Sequence, residues 1–73
     1  MQLVKNTETT VQFQNNSMVE NVSGTLIQYK INSNQDGWFH FKPNDILYPK
    51  AGQEFIFLAP STCYMTIAEI TTV

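Results

Sequence analysis

Cysteine is nearly absent from this 73-residue chain: Cys63 stands alone, so no intrachain disulfide can form. Histidine is equally scarce, and Cys63 with His40 falls short of the about four ligands that a structural zinc site needs. Charge is thin as well, at 14 % of residues against about 25 % in an average domain. Four Lys+Arg face six Asp+Glu for a net charge of −2, and the four are all lysine, Lys5, Lys30, Lys42 and Lys50, scattered along the chain. Binding driven by phosphate neutralisation needs a clustered basic face, so no nucleic-acid partner is expected. Long apolar runs are missing too. Phe55–Ala59 is far too short to span a bilayer, and the opening MQLVKNTETT has no apolar core of a signal peptide. The expectation is synthesis in the cytoplasm, no secretion by a signal peptide and no membrane partner. The sequons Asn15-Asn16-Ser17 and Asn21-Val22-Ser23 then read as polar turn chemistry.

These absences leave a stability problem. A chain this short makes one domain, residues 1–73, and buries only about 60 % of its unfolded surface. Small domains supplement a thin core with disulfides, a metal or oligomerisation. With the first two removed, oligomerisation or docking on a larger partner is the expected supplement, and no cofactor is implied.

What is abundant is uncharged polarity. Asn, Gln, Ser and Thr make up 25 of the 73 residues. Amides and hydroxyls hydrogen-bond across an interface without the desolvation cost of full charges, which suits a protein packed against neighbours. The competing explanation is ordinary strand preference in a Thr-rich β protein.

Apolar periodicity predicts strands and no helix. Val11–Phe13 alternates, and Leu3-Val4 forms a separate strand or the start of that one. Thr25–Ile31 sets Ile27, Tyr29 and Ile31 on one face against Leu26, Gln28 and Lys30 on the other. Asn32–Gly37 supplies a turn whose Asp-Gly pair accommodates positive φ, and Trp38–Lys42 returns as the partner strand. There Phe39 and Phe41 are expected to point inward and Trp38, His40 and Lys42 outward, with Pro43 ending the strand. Ile46–Tyr48 is a brief segment closed by the turn Pro49–Gly52. Phe55–Leu58 is apolar on both faces, so a central position is predicted, with the second face under a loop or a neighbouring subunit. Cys63–Ile70 is the last strand, with a break in phase, a bulge, at Glu69-Ile70. Residues 14–24 show no period and read as a loop crossing between sheets, while Thr71–Val73 keep strand character at a sheet edge. Together these predict an all-β fold, a small antiparallel β-sandwich or barrel of about 6–7 short strands.

No catalytic constellation stands out. Cys63 alternates with Met65 and Ile67 like a small core hydrophobe, and nothing local pairs it with His40. Asp36 and Asp45 sit in turns, and Glu54 and Glu69 in or beside strands. Neither a Walker loop nor a dinucleotide fingerprint is present, so the chain is not expected to be an enzyme. Binding is the better expectation. Trp38 and His40 share an outward strand face, Tyr29 or Leu26 is expected beside them across the hairpin, and Ile56 and Leu58 form the second face of the central strand. Trp38, His40, Tyr29, Ile56 and Leu58 are therefore the candidate interface, for protein, or alternatively for a glycan stacked on Trp38. Trp38→Ala or Phe57→Ala is expected to weaken assembly.

The run from QNNS through GTLIQYKINSNQDGWFHFKPND to PKAGQEFIFLAPSTCYMTIAEI resembles, in layout, the very small β-sandwich virion proteins of tailed bacteriophages. The likeness covers most of the chain and lies in the order of strands and turns. It implies a capsid decoration or accessory protein that forms homo-oligomers and binds the major capsid or another virion protein, located in the virion. A small phage-encoded inhibitor of a host protein is a further alternative; it would use an acidic patch, and Asp36, Asp45 and Glu54 are dispersed.

Overall fold

The alternation at 27–31 becomes the strand it predicts, and the hairpin partner follows it. In the computed structural model, which describes residues 1–32 and 36–70, nine short strands form three antiparallel sheets. They are β1 (Gln2–Leu3), β2 (Thr9–Gln12), β3 (Ser17–Glu20), β4 (Ile27–Ile31), β5 (Phe39–Phe41), β6 (Ile46–Leu47), β7 (Glu54–Leu58), β8 (Cys63–Tyr64) and β9 (Thr66–Glu69). The all-β class is as expected, with more strands than the 6–7 predicted. Residues 33–35 of the predicted turn and the predicted edge segment 71–73 lie outside the described residues.

The first sheet runs β2-β7-β4-β5. β7 takes the central place because its residues are apolar on both faces, and it is flanked by β2 and β4. The second layer is β6-β3-β9, continued by the β1-β8 pair. Only Met65 separates β8 from β9, and it exchanges backbone hydrogen bonds with Met1, 2.9 Å from its own N–H and 2.6 Å from the Met1 ammonium. Further along, the Ile70 N–H turns the other way to the Asn16 carbonyl. Residues 63–70 thus form one line of chain with β1 on one side and β3 on the other.

The core lies between the layers. Phe41, Phe55, Phe57 and Ile27 from the first sheet meet Leu3, Val19, Cys63 and Met65 from the second. Phe13 and Phe55 meet edge to face at 5.5 Å, and Phe55 stacks on Tyr29 at 5.9 Å. Such pairs add about 0.5–1.5 kcal/mol each beyond simple burial.

Two expectations change. Residues 17–20, expected within a loop, are the middle strand of the second layer. Its inward positions are Ser17, Val19 and Asn21, all buried, and two polar residues on the core side erase the apolar alternation. The expected bulge at 69–70 is absent, since β9 pairs with β3 in unbroken register from Thr66↔Glu20 to Ser17↔Glu69. Glu69 falls on the inward parity only where the sheet has run past its core, and it is exposed there. Phe39 follows the same logic. It shares the inward parity of Phe41 yet remains 48 % exposed at the hairpin end, where its ring meets that of Tyr29 at 5.4 Å.

Candidate functional site

Strand parity sorts the predicted interface residues onto two surfaces. Trp38, His40, Ile56 and Leu58 come together on the outward face of the first sheet, His40 opposite Gln28 and Leu58 opposite Gln28 on the other side. Tyr29 does not join them. It lies one position out of phase, on the core side, in contact with Phe39, Phe41, Phe55 and Phe57. Leu26, on the same parity as Gln28, is the residue that comes across to the outward face.

The chemistry of that face is mixed. The Lys30 ammonium sits 4.5 Å from the Trp38 ring centre, so one face of the indole already carries a cation. Such a contact is worth about 0.5–1 kcal/mol at a site of this exposure. Ile56 is only 8 % exposed, since Thr10 and Lys30 flank it in register. The second face of β7 is thus closed largely by its own sheet and offers little area to a partner. Beside it a trough of about 280 Å³ runs between Leu26, Leu58 and Pro60, with Asn6 and Gln28 as its polar rim.

At the open end of the sandwich, Tyr29, Ile31 and Phe55 face Leu47 across a shallow cleft of about 340 Å³, whose lining also includes Tyr48. Lys50 and Gln53 supply its polar edge. The Gln53 side-chain Oε1 already accepts the Lys50 backbone N–H at 2.7 Å, which ties the Pro49–Gly52 turn rather than leaving that group for a ligand.

The outward face of the second layer is different in kind, and sequence reasoning did not single it out. Register places Met18 opposite Ala68, and Glu20 between Ile46 and Thr66. The Ser17 N–H bonds the Pro49 carbonyl at 2.8 Å, so the β3–β6 pairing continues and brings Tyr48 opposite Met18. Tyr64 lies two positions from Thr66 on the same parity, opposite Gln2. Ile46, Tyr48, Tyr64 and Ile70 are all among the exposed large hydrophobic residues and fall on this parity, and exposed Val22 follows just beyond β3. Within the strands β3, β6, β8 and β9 Glu20 is the one charged residue on this parity, and Lys50 follows two positions beyond Tyr48. The signal was present in the sequence: positions 64, 66, 68 and 70 read Tyr, Thr, Ala, Ile, an outward row with no charge.

The titratable side chains are dispersed. Cys63 is buried in the core opposite Leu3, whereas His40 is exposed on the far side of the first sheet, so the sheet itself separates them. The Asp45 carboxylate accepts the Lys42 N–H at 3.1 Å within its own turn, as Asp in a turn is expected to do. No group of three or more His, Cys, Asp or Glu converges among the described residues. No helix among them is long and apolar enough to cross a membrane. Phe57, expected to report on assembly, is fully buried in the chain's own core and reports on folding instead.

No family model matches the chain, and neither a curated protein nor a solved structure matches it.

Proposed function

We propose that this chain is a non-enzymatic structural protein that works packed against protein neighbours, as a capsid decoration or accessory protein of a tailed bacteriophage. The observation that carries the packing is the outward face of the second layer, where exposed Ile46, Tyr48, Tyr64 and Ile70 lie on strands whose one outward charge is Glu20. A contiguous apolar surface of this kind on a small soluble domain marks an interaction site. The low charge and the amide-rich surface favour burial against protein over contact with phosphate or metal. The virion setting rests on the layout of strands and turns. Its partners in this reading are copies of itself and the major capsid or another virion protein. A sugar stacked on Trp38 is the weaker reading, because Lys30 already occupies one face of the indole.

The test is to identify the proteins of density-banded, salt-washed particles by mass spectrometry. Peptides of this chain at a copy number comparable to other virion proteins are expected. Their absence from particles, with the chain present in the surrounding lysate, would overturn the virion assignment.

A further inference from the structure

We infer that the edge of the second layer at Ile67–Glu69 accepts an extended segment of a different protein as one added antiparallel strand, with a cationic residue of that segment opposite Glu69. The inference rests on the protein-packing reading above and names the element that the neighbour supplies.

The hydrogen-bond alternation along residues 63–70 locates the edge. Ile70 donates to the Asn16 carbonyl, so, with the β3–β9 register, residues 66, 68 and 70 turn their main-chain groups toward β3. Met65 turns its groups the other way, to Met1 in the row of β1. By the same alternation the N–H and carbonyl groups of Ile67 and Glu69 point to that second side. The row beside them holds Met1–Leu3 opposite residues 63–65, and no described residue bonds the main chain of Ile67 or Glu69. Groups at this repeat match an extended backbone, the mode of strand addition.

Side-chain exposure marks the same place. All four residues of β9 are exposed, and Ile67 is 36 % exposed on the core side although its partner Val19 is fully buried. The other edges differ. On β2 the core-side Thr9 and Val11 are half-buried, so that edge already covers its core. On β5 the Lys42 main chain is tied to Asp45, whose carboxylate accepts its N–H at 3.1 Å and whose N–H meets its carbonyl at 3.0 Å.

Charge then selects the occupant. A strand antiparallel to β9 sets one residue against Ile67 and, two positions earlier in its own sequence, one against Glu69, both on the core side. An apolar residue covers Ile67, and Lys or Arg meets the exposed Glu69 carboxylate. An inward-pointing charge on an edge repels a strand that lacks its counterion, so Glu69 rejects most segments and favours this one. Copies of this chain do not supply it. Two positions after Lys5, Lys30, Lys42 and Lys50 stand Thr7, Asn32, Asn44 and Gly52, none with an apolar side chain, and there is no arginine.

NMR of the ¹⁵N-labelled full chain, titrated to about 5 mM with the capped peptide acetyl-Thr-Lys-Thr-Ile-Thr-amide, tests this. The amides of Ile67 and Glu69 should shift and exchange with solvent about threefold more slowly, while those of Thr10 and Gln12 on β2 stay unchanged. Glu69→Lys should weaken the peptide about fivefold with an unchanged melting curve, and a peptide with Glu in place of its Lys should restore binding. Methylating the peptide nitrogen of Ile, whose N–H must reach the Ile67 carbonyl, should abolish it. Equal binding of the methylated peptide, no shift at Ile67 and Glu69, or shifts centred on β2 would overturn the proposal. So would the same shifts on concentrating the chain alone, which would make a second copy the occupant. The two readings fail separately. A chain that binds the peptide but is absent from particles keeps the added strand and loses the virion assignment; a chain found in particles that ignores the peptide, and whose Glu69→Lys variant is retained at the same copy number, does the reverse.

Discussion

At the scale of single residues, Asn21 shows why the chain is rich in amides. It is fully buried, and its Nδ2 donates to the Thr25 carbonyl at 2.7 Å and the Phe41 carbonyl at 2.8 Å. Its Oδ1 accepts from the Ser23 N–H and hydroxyl at 3.0 and 2.6 Å. Its own backbone N–H goes to the Asp45 carbonyl, and its carbonyl accepts from the Asn44 N–H. One side chain therefore joins the end of β3 to the end of β5 and fixes the turn between β3 and β4. No other residue type offers two donors and an acceptor at this length. Asn21→Ala strands two buried carbonyls at about 1–3 kcal/mol each, so a loss of roughly 3–5 kcal/mol is expected. Asn21→Asp should do no better, because it sets an acceptor against both carbonyls. Urea unfolding measures both, and a change under about 0.5 kcal/mol for either would contradict the account. The Asn21 sequon is accordingly structural, its amide having no exposed surface. Three further asparagines, Asn6, Asn32 and Asn44, take positive φ of 56°, 63° and 69°, which Asn tolerates better than most residues. Part of the amide content read from the sequence as interface chemistry is therefore turn and core chemistry.

At the scale of elements, β3 marks the limit of what periodicity reveals. Val19 pairs with Ile67 on the core side, yet Val19 is fully buried and Ile67 is 36 % exposed. Val19→Ala is expected to cost about 2 kcal/mol, while Ile67→Ala, which removes more carbon, costs less. Equal losses by urea unfolding would place the core boundary beyond β9. Strands with apolar inward positions, β4, β7 and the 63–70 line, were legible because their pattern follows a single face. β3 was not, since Ser17 and Asn21 point inward and are satisfied by bonds that sequence does not display. Ser17 Oγ donates to the Asn15 carbonyl at 2.8 Å, one such hidden partner. The candidate interface was legible in part for a related reason. Parity correctly grouped Trp38 and His40, but hairpin register decides which β4 residues join them, and register depends on the turn.

At the scale of the whole molecule, the connections are long even though the fold is small, 37 × 26 × 16 Å between its outermost Cα atoms. β1 pairs Gln2 with Tyr64, β2 pairs Thr9 with Phe57, and β3 pairs Ser17 with Glu69. Among the described strands only β4 and β5 are paired neighbours that also follow one another in the chain, aligned by Ile27↔Phe41. Loop closure must precede most of the burial that rewards it, so the barrier is set by chain topology more than by local preference. Folding is expected in milliseconds to seconds, within the range of all-β domains, despite the 73-residue length. Stopped-flow refolding monitored by Trp38 can measure this, because the indole changes surroundings when the hairpin brings it to Lys30. Refolding in microseconds would mean that the local hairpin, rather than pairing between distant strands, limits the reaction. Phe57→Ala removes a ring at the junction of β2, β7 and β4. If distant pairing limits folding, it should slow refolding as well as destabilise the chain, whereas a variant of the hairpin tip such as Phe39→Ala should mainly change unfolding.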